Sequence, residues 1–169
     1  YVDLANPSMR IVRIEEGLRK EQVAKVVADK LYWDEKAKED FINKANAEGH
    51  YFPKTYLINK DEDPASVRGI MFGEFSKQIG KVKKPGSKQK INEDTILKIA
   101  SIIQREAAGK EDMNLISGII WNRLFGGMKL QMDATLQYVK GNEEEGWWGP
   151  VSPEDKKIES SYNTYIYEG

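Results

Sequence analysis

Cysteine is absent from this chain of 169 residues, and histidine occurs once, as His50. Without cysteine the chain forms no disulfide and has no thiolate to act as a nucleophile or a metal ligand. One histidine excludes metal sites built from histidine clusters and argues against a Ser-His-Asp triad.

Long apolar runs and an excess of one charge are missing as well. No stretch reaches the about 18 apolar residues that a membrane-spanning helix needs, and no signal-peptide pattern opens the chain. The formal net charge of −1 gives no general attraction to nucleic acid or to an anionic membrane. Because the chain opens at Tyr1 rather than Met, we expect a fragment trimmed at one or both ends, from which a membrane anchor could be missing.

The first third of the sequence predicts a small α+β module. A short strand is expected over Met9–Ile14 and another over Tyr51–Ile58, where β-branched and aromatic residues dominate. Between them lie two amphipathic helical segments, the second over about 34–47. The first helix has an apolar face made of Val23, Val26, Val27 and Leu31.

A helix and a lysine-rich segment come next. Pro64 is suited to open a helix through about Ile79. The apolar face of that helix would be Val67, Ile70, Met71 and Phe75. Six lysines then fall within Lys77–Lys90, with Pro85-Gly86 between them. This pattern predicts a solvated connector, and because no aromatic residue interleaves with the lysines it does not favour a nucleic-acid site.

The strongest functional signal is Glu106, which falls on the apolar side of a predicted helix. Asn92 is a suitable N-cap and Gly109 a suitable C-cap for that helix. Its apolar stripe is Ile96, Ile99, Ala100, Ile103 and Ala107. Glu106 lies about 20° round the helix from Ile99. Burial and the helix dipole both favour the protonated carboxylic acid there, which suits a general acid. Alternatively, the side chain could turn to solvent or pair with a basic residue.

The last third combines one apolar helix with a polar-aromatic segment. The helix, over about Asp112–Phe125 and ended by Gly126-Gly127, is expected to be nearly all buried. Its apolar residues are Leu115, Ile116, Ile119, Ile120 and Leu124. From Met128 onward the sequence is loop-like and mixes tyrosine and tryptophan with amides and hydroxyls, as carbohydrate sites do. Trp147-Trp148 could equally serve only as loop anchors.

Several motifs give this chain a specific resemblance. They are Glu48–Tyr56, Ala100–Glu106, Asn122–Leu124, Gly127–Thr135 and Ser160–Tyr165, in that order along the sequence. Together they resemble the endolytic murein transglycosylase family, the MltG or YceG-like proteins. The resemblance covers nearly the whole chain, and the order of the motifs makes a chance match hard to sustain.

The resemblance implies an α+β fold in three parts. Residues 1–60 would form a small LysM-like βααβ subdomain, and residues 61–90 a helix with the lysine-rich connector. Residues 91–169 would be a catalytic domain of mixed helical and strand structure. The Gly-Leu-Pro-Pro-Gly segment that normally follows in the family is absent after Gly169. We therefore expect the catalytic domain to be truncated at its C-terminus.

It also implies an enzyme that acts outside the cytoplasm. Family members cut the β-1,4 bond between N-acetylmuramic acid and N-acetylglucosamine within glycan strands and leave 1,6-anhydro-muramyl ends. The expected partner is the peptidoglycan strand, with cell-wall synthesis proteins as further candidates and no nucleic acid. No cofactor and no metal are implied. The intact protein would be held in the membrane by a helix that this chain lacks.

The family's catalytic glutamate corresponds to Glu106. The expected substrate-binding residues are Asn122, Gln131, Asp133, Thr135, Tyr138, Tyr162, Asn163 and Tyr165. Asp133 could instead only cap a turn, and Asn163-Thr164 could only satisfy backbone groups. The chain departs from the family at Gln104, where many members have a second glutamate. It departs again at Ala134 and Ser161, where they commonly have proline, and we expect these two changes to loosen loops.

Two other functions remain open on the residues alone. An inverting hydrolase would pair Glu106 with Asp133 as the base, with carboxyl groups roughly 6.5–9.5 Å apart. A cell-wall glycan-binding module without catalytic activity would need neither carboxylate. The products of the reaction distinguish the hydrolase, which leaves a reducing end, from the transglycosylase, which leaves an anhydro end.

Overall fold

The computed structural model describes residues 6–43, 48–82 and 91–168. The chain divides into two compact units, residues 1–89 and 90–169. The first unit contains strand β1 (Met9–Arg13), helices α1 (Lys20–Leu31) and α2 (Glu35–Asn43), strand β2 (Thr55–Asn59) and helix α3 (Pro64–Ile79). The second contains helices α4 (Glu93–Glu106), α5 (Lys110–Phe125) and α6 (Asp133–Lys140) and a 3-10 turn at Asp155–Lys157.

The two strands pair antiparallel, with Met9 opposite Asn59 and Arg13 opposite Thr55. Alternate residues point inward, so Val12 and Ile58 are almost fully buried. The predicted α+β class and the strand-helix-helix-strand order are both confirmed. The LysM-like character of this part stays a prediction.

Helices α1 and α3 close the core of the first unit. Each buries a stripe of side chains four residues apart, the spacing that aligns residues on one helix face. The stripes are Val23, Val27 and Leu31 on α1, and Val67, Met71 and Phe75 on α3. Because Val67 and Met71 belong to the same cluster as the strand residues, α3 packs as part of this unit.

Three expectations for the first unit need correction. Strand β2 begins at Thr55 rather than Tyr51; the ring of Tyr51 instead stacks on Phe41 at 5.0 Å, and Pro53 has no N–H for a ladder. Ile70 is 41% exposed, so it is not part of the buried face of α3. Val26 is only partly buried. The end of the segment predicted over 34–47 and most of the lysine-rich connector lie outside the described residues.

Helix α4 begins as predicted and ends earlier. The Asn92 side chain caps it by accepting from the Thr95 N–H at 2.7 Å. Ile99 is buried, whereas Ala100, expected on the same stripe, is exposed. The helix stops at Glu106, and Gly109 is the extended N-cap of α5 rather than the C-cap of α4. Glu106 is therefore the last residue of its helix.

Helix α5 is far less buried than expected. Ile120 is fully buried, but Leu115 is 67% and Ile119 40% exposed. Helix α5 packs on α4 through the side that carries Ile120, and Leu115 and Ile119 lie on the more open part of its surface. Gly126 and Gly127 end the helix as predicted, and Gly127 has a φ of +63°, which glycine adopts without strain.

The segment after Met128 contains a helix that the sequence did not predict, α6. The rest of the described segment is turns, the 3-10 turn and one isolated β-bridge between Asn142 and Gly146. No regular strand occurs within 91–168, so the mixed helical and strand structure expected there is wrong for those residues. The polar groups of this segment bond locally in turns instead of forming a ladder.

Among the residues described here, no helix combines the length and the apolar character that crossing a bilayer requires.

Candidate functional site

Glu106 lies at the end of α4, half-buried, with one carboxylate oxygen held in place. Its Oε1 accepts a hydrogen bond from the backbone N–H of Ala134 at 2.9 Å. Within the described part of the chain Oε2 has no hydrogen-bond partner. One oxygen is thus fixed and the other remains available to a substrate.

The N–H of Ala134 is available because it lies in the first turn of α6. The first N–H groups of a helix have no partner within the helix, and the helix dipole favours a negative charge beside them. The resemblance drawn from the motifs leads us to expect proline at this position, and proline has no N–H. The hydrogen bond to Glu106 therefore requires a residue other than proline at this position, as this chain has. We expected the change only to loosen a loop, which missed this donor.

A second carboxylate lies next to this contact. Asp133, the first residue of α6, accepts a hydrogen bond from the Tyr165 hydroxyl at 2.5 Å. Burial raises the pKa of Tyr165 to about 12, with further contributions from the bond to Asp133 and from the charges of Asp133 and Glu106. The phenol therefore keeps its proton at neutral pH. The Lys156 ammonium lies over the Tyr165 ring, 4.5 Å from its centre.

Thr164 joins the Ser160–Tyr165 loop to the start of α6 through a closed ring of hydrogen bonds. Thr135 Oγ1 donates its only proton to Met132 O at 2.8 Å. The Oγ1 atoms of Thr135 and Thr164 are 3.0 Å apart, and because the Thr135 proton is already used, Thr164 must donate to Thr135. Thr164 Oγ1 in turn accepts from Met132 N at 3.0 Å. Thr135 thus has a structural contact.

Gln131 has a backbone conformation that side chains rarely adopt, with φ of +56°. Its N–H donates to Thr164 O at 3.0 Å, which helps to hold that conformation. The residue is exposed. Strained backbone of this kind often occurs at functional sites, so Gln131 fits a role in substrate contact.

Asn163 is fully buried and its amide is used by the backbone around it. Nδ2 donates to Lys156 O at 3.2 Å and to Ile158 O at 2.8 Å. Oδ1 accepts from Tyr165 N at 2.9 Å. These bonds fix the loop that carries Tyr165, and they use both N–H groups of the Asn163 amide and its oxygen within that loop.

The other candidates are more loosely connected to Glu106. Tyr138 and Tyr162 form a ring pair with centroids 5.3 Å apart, and Tyr162 is 55% exposed, as a stacking surface for a sugar would be. Asn122 is exposed on α5. No described contact joins the Asn122 side chain to the other candidates.

The structural role considered for Thr164 is confirmed by its bond from Met132 N, whereas the contacts of two positions were missed from the sequence, Ala134 and Arg105. The Arg105 guanidinium lies over the Trp148 ring, 3.9 Å from its centre. The departure from the proline that the resemblance leads us to expect could have identified Ala134. The contact of Arg105, like that of Thr164, joins positions about 30 to 45 residues apart, for which the sequence carries no local signal. No group of three or more potential metal-ligating side chains occurs in the part of the chain that the structure describes.

Comparison with known proteins gives the chain its family. A model of the YceG-like family matches residues 2–169. The chain belongs to the YceG-like family. This confirms the resemblance drawn from the motifs.

Among curated YceG-like relatives, the endolytic murein transglycosylase of Bacillus subtilis (strain 168) is 29% identical over 184 residues, which cover 94% of this chain and 50% of that protein. The endolytic murein transglycosylase of Streptococcus pneumoniae serotype 2 (strain D39) is 29% identical over 119 residues, 70% of this chain and 22% of that protein. The chain thus spans half or less of the length of these relatives.

A solved structure supports the fold. The crystal structure of a yceG-like protein from Listeria monocytogenes has a TM-score of 0.79, with 24% sequence identity. The similarity covers 94% of this chain and 60% of the Listeria chain. At this identity the comparison shows a shared fold and nothing about activity.

Proposed function

We propose that this chain is the catalytic part of an endolytic peptidoglycan lytic transglycosylase. We also propose that the intact protein is attached to the membrane and acts outside the cytoplasm. Family membership and the names of the curated relatives support the first of these proposals. The observation that carries it is the Glu106 carboxyl group, with Oε1 fixed by the Ala134 N–H and Oε2 available. A lytic transglycosylase requires one such group to act as both acid and base.

The reaction proceeds in two proton transfers at Glu106. The protonated acid first gives its proton to the glycosidic oxygen while the bond from that oxygen to C1 of the muramyl residue breaks. Positive charge at C1 is shared by the N-acetyl group of the substrate, so no protein nucleophile is needed. The Glu106 carboxylate then takes the proton of the muramyl C6 hydroxyl, and the oxygen of that hydroxyl forms the new bond to C1. Acid-base assistance of this kind accelerates reactions by about 10²–10⁴.

Asp133 and Tyr165 orient the substrate in this proposal. The Tyr165 hydroxyl occupies Asp133 Oδ1, which leaves Asp133 Oδ2 free for a sugar hydroxyl. The exposed ring of Tyr162 offers an apolar face to a sugar, and the Gln131 amide is exposed beside this group. A site of this composition matches the alternation of apolar faces and hydroxyls on a glycan strand.

The position of Asp133 also supports a second candidate function, that of an inverting hydrolase. Asp133 directly precedes Ala134, whose N–H holds Glu106, so a second carboxylate is carried by the residue next to the donor. A water activated by Asp133 would attack C1 and leave a reducing muramyl end. Because Tyr165 already donates to Asp133 Oδ1, and because the curated relatives are named transglycosylases, we favour the transglycosylase.

The test is product analysis with un-crosslinked glycan strands. We expect anhydro-ended fragments from the wild type and from Glu111→Gln, which changes an exposed glutamate on α5, and none from Glu106→Gln. The Glu106→Gln side chain keeps an oxygen for the Ala134 N–H, so the variant should fold. Fragments with reducing ends would favour the hydrolase. Glycan binding without cleavage by any of the three proteins would favour a binding module.

A further inference from the structure

Arg105, the residue before Glu106, is a cation with unused hydrogen-bonding capacity. Its guanidinium stacks on Trp148 at 3.9 Å and the residue remains exposed. A guanidinium has five N–H donors in its plane. Within the described ranges none of them meets a hydrogen-bond acceptor, and no carboxylate forms an ion pair with Arg105. The ring covers one face of the group and leaves its edge open.

Trp148 is itself fixed relative to α6. The Gln137 side chain on α6 donates to Gly149 O at 3.1 Å, so the loop that carries Trp148 is attached to the helix that holds Glu106. The ring under the guanidinium and the donor to Glu106 are therefore both attached to α6. Partial burial lowers the pKa of Arg105, and no nearby carboxylate counteracts this effect. The group stays charged, since arginine does not lose its proton at neutral pH.

Such a group binds a planar anion. Two parallel N–H donors on an open guanidinium edge match the two oxygens of a carboxylate. In a peptidoglycan strand the sugar rings carry no carboxylate, and the only acidic groups hang from the 3-O-lactyl arm of the muramyl residue. We propose that Arg105 binds a carboxylate on the lactyl arm of the muramyl residue that lies beside Glu106. This proposal rests on the proposed function and adds how the substrate is recognised.

That carboxylate has two possible sources. On a peptide-free strand it is the lactyl group itself, and on a peptide-bearing strand the lactyl group is amidated and the carboxylate belongs to the stem peptide. A polymer of N-acetylglucosamine has the same backbone and no lactyl arm. Comparing the three ligands therefore separates recognition of the carboxylate from general recognition of the glycan.

The experiment measures binding with the Glu106→Gln chain, in which we expect no turnover. The ligands are a peptide-free murein tetrasaccharide, the same tetrasaccharide with stem peptides, and an N-acetylglucosamine tetramer. Each is titrated into Glu106→Gln alone and together with Arg105→Gln, Arg105→Lys or the control Lys157→Met, which removes an exposed charge elsewhere. Circular dichroism and melting temperature confirm that each variant is folded.

We expect Arg105→Gln to weaken binding of at least one murein ligand about fivefold, the upper range for an exposed ion pair, and to leave the tetramer unchanged. Arg105→Lys should recover part of the loss because it keeps the charge without the planar fork. The murein ligand that responds identifies the source of the carboxylate. Equal weakening of all three ligands, or of none, overturns this inference and leaves the proposed function standing. Absence of binding to any glycan contradicts both proposals.

Discussion

At the scale of single residues, the candidate site depends on which groups hold the two carboxylates. Glu106 is held by a backbone donor and Asp133 by a side-chain donor, Tyr165. These two contacts are adjacent in sequence, yet they respond differently to substitution. A side-chain change can remove the phenol, whereas it leaves the Ala134 N–H in place.

Replacing Tyr165 by phenylalanine should lower activity without unfolding the chain. The variant keeps the ring under Lys156 and loses the hydroxyl that orients Asp133. A hydrogen bond to a charged group contributes about 1.5–3 kcal/mol, so we expect kcat/KM to fall roughly 10- to 100-fold. The assay is the rate of glycan cleavage for each variant.

Tyr162→Phe is the matched control for this change. The Tyr162 side chain makes a ring contact with Tyr138, and its hydroxyl donates to no described residue. Its removal should change kcat/KM by less than about threefold, within the range of a neutral surface change. Equal losses in both variants would mean that the Tyr165 hydroxyl has no special role.

The raised pKa of Glu48 predicts that the stability of the first unit depends on pH. Its Oε1 accepts from Lys20 N at 3.2 Å, and burial, followed by the charge of Glu21, raises the pKa of Glu48 above its ordinary value. A raised pKa in the folded state means that folding favours the protonated acid. This stabilisation is complete below the ordinary pKa of 4.5 and is lost as the pH rises through the folded value.

We therefore expect Glu48→Gln to remove this pH dependence. The glutamine keeps an oxygen for Lys20 and carries no charge, so the variant should be more stable than the wild type at pH 7 and differ little from it at pH 4. Urea unfolding at several pH values measures the difference. The control Glu16→Gln changes an exposed glutamate and should follow the wild type at every pH. Parallel curves for the wild type and Glu48→Gln would show that Glu48 titrates alike in both states.

At the scale of elements, α6 is the helix that assembles the site. Met132, its N-cap, supplies no side-chain cap. Its start is held by tertiary contacts instead: Thr164 binds the chain before it, and Glu106 accepts from Ala134 in its first turn. The loop after Ser160 thereby controls where the donor to Glu106 lies.

Thr164→Val should destabilise the second unit by about 1–3 kcal/mol, because it leaves the Met132 N–H without its acceptor. Thr164→Ser keeps the hydroxyl and should lose less than about 1 kcal/mol. Urea unfolding followed by circular dichroism measures both. If the two variants lose the same stability, the methyl group rather than the ring of hydrogen bonds is what Thr164 contributes.

The elements also show what a sequence can predict. The start of α3 and the cap of α4 were predictable because proline favours the first turn of a helix and asparagine favours the N-cap, as Pro64 and Asn92 do here. Helix α6 was not, because it is short and has no capping side chain. The burial of α5 was overestimated because its residues are apolar on several faces. Glu106 was identified from its helix and motif, whereas Thr164 and Arg105 act through contacts distant in sequence.

At the scale of the whole chain, the two units differ in the size of their cores. The first unit contains most of the fully buried apolar side chains, from both strands and three helices. The apolar cluster of the second is built on Ile99, Ile120 and Leu130, with partly buried neighbours around them. Free energy from burial follows apolar area, so the second unit should be the less stable one.

Native-state hydrogen exchange can test this difference. We expect the amides of α4, α5 and α6 to exchange through openings of lower free energy than those of β1, β2 and α1. Exchange with the same opening free energy in both units would mean that the chain unfolds in one cooperative step. Weaker protection of the second unit would place the candidate catalytic residues in the part of the chain that opens more easily.

The hydrogen bond from the Ala134 N–H to Glu106 affects how mutational scans of this chain should be interpreted. The donor belongs to the main chain, so an alanine scan passes over the position and no substitution except proline removes the N–H. Because Ala134 is buried, a saturation library would record losses from bulky side chains as well, and these losses would hide the contribution of the hydrogen bond. Replacing the Ala134 amide by an ester would expose the contribution directly, since it deletes the N–H and leaves every side chain of the protein intact.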